Sequence, residues 1–211
     1  MDLSITADIS ESVHDVPANI DNLMQFIKDL ISDNDVDSGN VQVSLTLFHH
    51  NVFNEFFFNT YNSTSQILRH IDYNVHITWG ATNTGDALKN LYHEVFKHHN
   101  GDRHDAVDVA MIITDGRSND NAYTVEQATK VHDHGIHTIA VGIGLSDLSE
   151  LRQIASSDED MFYVDTFQQL GSARHAIEKL FVDKCSGKKF HYPDFINVCH
   201  HMCITKLELA A

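Results

Sequence analysis

Leu3-Ser4-Ile5-Thr6-Ala7 alternates apolar and hydroxyl side chains as a strand does, and it runs directly into Asp8-Ile9-Ser10-Glu11-Ser12. A carboxylate where a strand ends, followed by two hydroxyls at alternate positions, is a set of hard oxygen donors. Such donors suit Mg²⁺, Mn²⁺ or Ca²⁺ over softer metals. Alone, the pattern is also what ordinary loops and helix N-caps use, because Asp and Ser bond their own backbone. Its meaning depends on what lies downstream.

Two later stretches decide it. Gly80-Ala81-Thr82-Asn83-Thr84-Gly85-Asp86-Ala87-Leu88 is a polar loop running into a helix, and Val109-Ala110-Met111-Ile112-Ile113-Thr114-Asp115-Gly116 is an apolar strand ending in an acid and a turn residue. D-x-S-x-S, then T-x-T-G-x-A-L, then an apolar run closing in T-D-G resemble the von Willebrand factor type A domain, in family order and over about residues 2–184. In that family the three segments build a metal-ion-dependent adhesion site. The resemblance implies that Asp8, Ser10, Ser12, Thr82 and Asp115 hold one divalent cation, some directly and some through water. Mg²⁺ is the expected ion, with Mn²⁺ or Ca²⁺ as alternatives. It also implies a coordination position left open for a Glu or Asp carboxylate of a protein partner. The chain departs from many members at Ile9 and Glu11, where they carry small residues; Glu11 adds a carboxylate beside the site.

The bulk properties bound the rest. A chain of 211 residues, 42% hydrophobic and 21% charged, has the length and composition of one domain with a sizeable core. Thirty acids against 14 Lys and Arg leave a net charge of −16, which argues against nucleic acid, since no basic patch neutralises phosphates. It fits divalent cations, basic protein surfaces or mineral. No apolar run has the length of a membrane span, so no membrane insertion is expected. Met1 stands directly before the first strand with no leader pattern, which reads as a mature fragment. All three cysteines, Cys185, Cys199 and Cys203, fall near the end, where one pair would close a small loop and the odd one could link to another chain. Asn62-Ser63-Thr64 is the one N-glycosylation sequon.

Periodicity predicts an α/β fold: a doubly wound, mostly parallel central sheet with one antiparallel edge strand and helices on both faces. Asp15 and Pro17 signal a helix start, and Ile20, Leu23, Met24, Ile27, Leu30 and Ile31 give it one apolar face. Strands are expected through residues 41–48 and 52–58, antiparallel because the link is so short. Further helices are expected at 63–71, from Thr84 onward, at 124–134, 148–155 and 167–182, and strands at 107–114, 137–143 and 161–164. Residues 1–184 thus read as the type A domain and 185–211 as a Cys- and His-containing tail or linker. In such sheets ligands bind at the carboxyl ends of the strands, where Asp8 and Asp115 fall.

An enzyme acting through Mg²⁺ would need a phosphate cradle or a nucleophile motif. The chain has no G-x-x-x-x-G-K-[ST], G-x-G-x-x-G or G-x-S-x-G segment, so no enzymatic role is expected. The 16 histidines form local clusters at His49-His50, at His98-His99 with His104, at His132-x-His134 and at His200-His201. The last, beside Cys199 and Cys203, has residue types that suit Zn²⁺ or Cu²⁺, though none of the clusters has a recognised ligand spacing. Protonating all 16 would carry the net charge from −16 to zero between about pH 8 and pH 5. The reading is a secreted extracellular-matrix adhesion module that engages collagen or another matrix protein through its cation. The alternative is a self-associating structural protein of a secreted adhesive or mineralised matrix, with a histidine-mediated metal or pH response.

Overall fold

Strand β1 (Asp2–Asp8) is buried at every position and lies inside a six-stranded sheet. The computed structural model describes residues 1–75, 77, 78, 80–174, 176 and 177. β1 pairs in parallel with β2 (Gln42–Phe48) on one side and β4 (Asp108–Thr114) on the other. β5 (His137–Ile143) and β6 (Met161–Val164) continue the parallel sheet, and β3 (Val52–Phe56) closes the opposite edge antiparallel to β2. The order β3-β2-β1-β4-β5-β6 is the doubly wound, mostly parallel arrangement with one antiparallel edge strand that the alternation of elements predicts.

Two cores result. Leu3, Ile5 and Ala7 face a cluster with Leu23, Ile27, Leu30 and Ile31 of α2 (Pro17–Ser32) and Ile67 and Ile71 of α3 (Thr64–Tyr73). Ser4 and Thr6 stand in register with Ala110 and Ile112 and so take the other face. There Ala110, Ile112 and Ala140 pack under Leu88 of α4 (Thr84–Asn90), Ala128 and Val131 of α5 (Asn121–Asp133), and Leu151 and Ile154 of α6 (Ser149–Ile154). The connection after β1 therefore crosses to one face and the connection after β4 to the other. Neighbouring strands whose connections diverge leave a crevice at their carboxyl ends, the usual place for a ligand in open α/β sheets.

Local chemistry moves several boundaries. Ser12 falls in a one-turn helix, α1 (Glu11–His14), not in an extended loop, and Asp15 ends that turn while Val16 stands before Pro17. β3 ends two residues before the expected limit. α5 starts three residues early, because the Asp120 side chain accepts the Tyr123 N–H and caps it. α4 runs into a π-turn at Leu91–Val95. The last helix opens as a 3-10 turn at Phe167–Gln169 and is helical over 170–174, 176 and 177. The rest of the expected 167–182 helix, the tail, its three cysteines and His200-His201 lie outside the described residues.

At the amino ends of the strands, Arg103 closes the sheet. Its backbone N–H and Nε donate to the two oxygens of the fully buried Asp2, each at 2.8 Å, and its Nη atoms donate to the carbonyls of Gly39 and Met1 at 2.7 and 2.8 Å. Removing a guanidinium from a buried carboxylate leaves the charge uncompensated. Arg103→Ala is expected to lower unfolding free energy by about 3 kcal/mol, the low end for such a pair because the guanidinium keeps some solvent access. A urea midpoint within error of wild type would show that the pair contributes nothing.

Candidate functional site

The first motif is folded around its own carboxylate. Asp8 ends β1 almost wholly buried, and its Oδ1 accepts the Ser10 N–H at 2.8 Å. Its Oδ2 accepts the Thr114 hydroxyl at 2.8 Å from the neighbouring strand. Ser10 Oγ lies 3.3 Å from Ser12 Oγ, and the Ser12 hydroxyl donates to Asp115 Oδ1 at 2.9 Å. Four of the five side chains singled out by sequence are therefore linked in one chain of short contacts. The fifth, Thr82, is 9% exposed and lies beside the third motif: its carbonyl accepts the Asn119 N–H at 2.9 Å, and a Cβ on Gly116 would meet its hydroxyl at 3.6 Å.

The second motif is held by backbone ties. The Glu11 N–H donates to the Gly80 carbonyl at 2.9 Å, and the Asn83 N–H donates to the His49 carbonyl at 3.0 Å. Glu11 thus joins two motifs through its main chain while its side chain is exposed, and Ile9 is buried in the core. Asn83 caps α4 by accepting the Asp86 N–H, and Asp86 in turn accepts the Tyr123 hydroxyl at 3.0 Å. Close approach explains two glycines. A Cβ on Gly80 would sit 2.1 Å from His50 Nδ1, and one on Gly85 would sit 2.3 Å from the Tyr123 ring.

Burial pushes the Asp8 carboxyl up to about 6; the Ser10 bond opposes this, and the Asp115 charge adds to it. Burial also raises Asp115, against the Ser12 bond. Among the described residues no cationic side chain figures in either balance. Two partly desolvated carboxylates met only by neutral hydroxyls and an amide suit a hard divalent cation, which would supply the missing charge.

A carboxylate cluster able to coordinate a divalent cation also exists at the other end of the sheet. Asp2, Asp102 and Asp108 bring oxygens within 4.8 Å of one another. Here, however, Arg103 already neutralises Asp2 at 2.7 Å. Burial, then the Asp102 charge, pushes the Asp108 carboxyl up to about 7.

The histidines divide by environment. His49 is buried, stacks on His50 with ring centroids 4.3 Å apart, and accepts the Asn51 N–H on Nδ1 at 3.0 Å. Burial and His50 lower its pKa, so it resists the protonation expected of all 16 near pH 5. His132 bonds Thr138 and the Ile154 carbonyl, and His134 bonds the Lys130 carbonyl and stacks on Tyr92. Among the described residues no histidine joins two further ligands in a preformed metal group. Sequence reasoning passed over Tyr123 and Glu150, which reach the site's loops only through tertiary structure, and it gave no role to Thr114 and Asp86 inside the motifs.

A family model of the von Willebrand factor type A domain matches residues 2–176. Matrilin-1 of Gallus gallus is 32% identical over 174 residues, covering 82% of this chain and 34% of that protein. The collagen alpha-6(VI) chain of Mus musculus is 29% identical over 188 residues, covering 89% of this chain and 8% of that protein. The chain thus spans about a third or less of these relatives. Proximal thread matrix protein 1 from the mussel byssus superposes with a TM-score of 0.79 at 26% identity, covering 83% of this chain and 46% of that one. Its form with a zinc-occupied MIDAS motif gives 0.78. Domains of this kind are adhesion and structural modules and not enzymes, and the chain is related to extracellular-matrix members of the family. No described helix is long and apolar enough to cross a membrane.

The acidic cluster yields a pH prediction. With Asp108 raised from 3.8 to about 7, the folded state binds the proton more tightly than the unfolded state. The stability this contributes is complete below about pH 4 and is lost as pH rises to about 7. Asp108→Asn removes the dependence and leaves a neutral partner for Asp102. Its melting temperature should exceed wild type by about 2–4 °C at pH 8, the shift that about 1 kcal/mol gives a domain of this size. Thermal melts in EDTA should show that gap closing toward pH 4; a gap constant with pH would contradict the assignment.

Proposed function

Because the chain belongs to the von Willebrand factor type A domain family, we propose that it is a structural module of a secreted matrix that associates with its partner through one divalent cation. Asp8, Ser10, Ser12, Thr82 and Asp115 would hold the ion. The observation that carries this reading is the 2.9 Å bond from Ser12 to Asp115, which joins residues 103 positions apart at the crevice between β1 and β4. When bound, a divalent cation supplies an acceptor position for a carboxylate oxygen. The chain's own part is to keep the surrounding donors neutral: Ser and Thr hydroxyls leave the ion more of its charge than carboxylates would. Mg²⁺ and Mn²⁺ suit the hard donor set, and the zinc-occupied relative adds Zn²⁺ as a competitor to be tested.

The partner on this reading presents Glu or Asp. A second copy of the chain ranks first, because its own surface offers carboxylates among 30 acids, and because the byssal matrix protein supports a structural role. Collagen is the narrower second reading; kinship with matrix proteins supports it. Residues 1–184 are proposed as the domain and 185–211 as a tail or linker, with the family match over 2–176 in support.

Sedimentation of the full chain in EDTA and in Mg²⁺, Mn²⁺ or Zn²⁺ tests the proposal. Wild type should assemble with a cation and disperse in EDTA, and Asp115→Ala should stay dispersed throughout. Wild type that binds immobilised collagen in Mn²⁺ while remaining monomeric would favour the second reading. Wild type unchanged by every cation, in size and in collagen binding, would defeat both.

A further inference from the structure

Glu150 is an acid that neither the motifs nor the metal reading uses. It stands at the second position of α6 and is only 4% exposed. A buried carboxylate is costly unless its lone pairs are met. Here both oxygens are engaged by one segment, residues 116–121, which follows Asp115 and enters α5. Oε1 accepts the Ser118 N–H at 3.0 Å; Oε2 accepts the Ser118 hydroxyl at 2.5 Å and the Asn121 side-chain amide at 2.7 Å. At the surface Arg117 pairs with Asp147, just before α6, and ties the same loop to the same segment.

What that loop touches gives Glu150 its consequence. Its first side is Asp115, which accepts from Ser12. Between the two residues gripped by Glu150 lies Asn119, whose N–H donates to the Thr82 carbonyl at 2.9 Å. One carboxylate therefore holds the segment that leaves the third motif and bonds to the second. It is not a ligand in waiting, since three donors already occupy its oxygens.

We infer that Glu150 is a positioning residue: by fixing Ser118 and Asn121 it sets where Asp115 and Thr82 stand relative to Asp8 and Ser12. This rests on the metal reading of those five side chains. Partners that orient ligands typically contribute 10–100-fold in metal affinity. The carboxylate is suited to the task in a way an amide is not. Glutamine keeps one acceptor oxygen but turns an NH₂ toward donors, so Glu150→Gln satisfies one side of the grip and opposes the other.

The test uses the full chain as wild type, Glu150→Ala, Glu150→Gln and Ser118→Ala, with Asp160→Asn as control. Asp160 is equally buried and bonded, to His137 and Ser157, but at the amino ends of the strands, away from the crevice. Free Mn²⁺ is followed by electron paramagnetic resonance, and amide exchange of Ser118 and Asn119 is measured in EDTA. Wild type should bind Mn²⁺, and Glu150→Ala should bind about 10–100-fold more weakly. Glu150→Gln should fall between them, and Ser118→Ala should lose less than Glu150→Ala. The two amides should exchange faster in both Glu150 variants even without metal. Asp160→Asn should lower the melting temperature and leave Mn²⁺ affinity unchanged. Should Glu150→Ala fail to fold, Glu150→Gln and Ser118→Ala carry the comparison. Wild-type Mn²⁺ affinity in the Glu150 variants, or an equal loss in Asp160→Asn, would overturn the inference. A wild type that binds no Mn²⁺ overturns the metal reading itself, which is a separate result.

Discussion

β1 carries a buried carboxylate at each end, and the two are neutralised differently. Asp2 meets Arg103 at 2.7 Å, a charge-assisted contact that ends the matter. Asp8 meets a backbone amide and the Thr114 hydroxyl, with Asp115 adding a second negative charge close by. Both ends belong to a strand with no solvent access along its length. The sheet can therefore hold Asp8 only because neutral donors meet it there, and those donors leave the charge itself standing. That residual demand for positive charge is what separates Asp8 from Asp2.

The surrounding structure meets the demand by fixing neutral groups around it. Ser10 and Ser12 come from the first turn after β1, Thr82 from the loop before α4, and Asp115 from the end of β4. None of these segments is held by the others' side chains alone. Main-chain bonds from Glu11 to Gly80 and from Asn119 to Thr82, with Asp86 and Tyr123 bracing the α4 cap, set their spacing. The sharp packing of Gly80 against His50 and Gly85 against Tyr123 belongs to the same bracing.

How much was legible in sequence follows from how local each signal is. β5 and β6 have the limits that their apolar runs predict, and α2 begins where Pro17 requires. The five candidate side chains stand in short motifs, so the resemblance those motifs carry names them without any fold. The α1 turn did not show, because four residues are too few for a period, and neither did the start of α5, whose first turn is polar. Arg103 and Glu150 were invisible for another reason. Arg103 reaches Asp2 across 101 residues and Glu150 reaches Ser118 across 32, and nothing adjacent in the chain marks either as more than a surface charge. Buried polar pairs of this kind are set by topology.

The same logic bears on the histidines and on assembly. A surface carrying a net charge of −16 repels its own copies at neutral pH, and repulsion of that origin weakens when imidazoles charge. Yet the described histidines are not a uniform reservoir. Burial and its neighbour lower the His49 pKa, and it accepts the Asn51 N–H at the nitrogen that protonation would block. Its backbone carbonyl also holds Asn83, next to Thr82. Charging His49 would therefore disturb the loop that the proposed cation site needs, whereas charging exposed histidines such as His99 only reduces net charge. On the proposed reading, acidification thus acts in two opposed ways, easing approach between copies while loosening the loop that would join them.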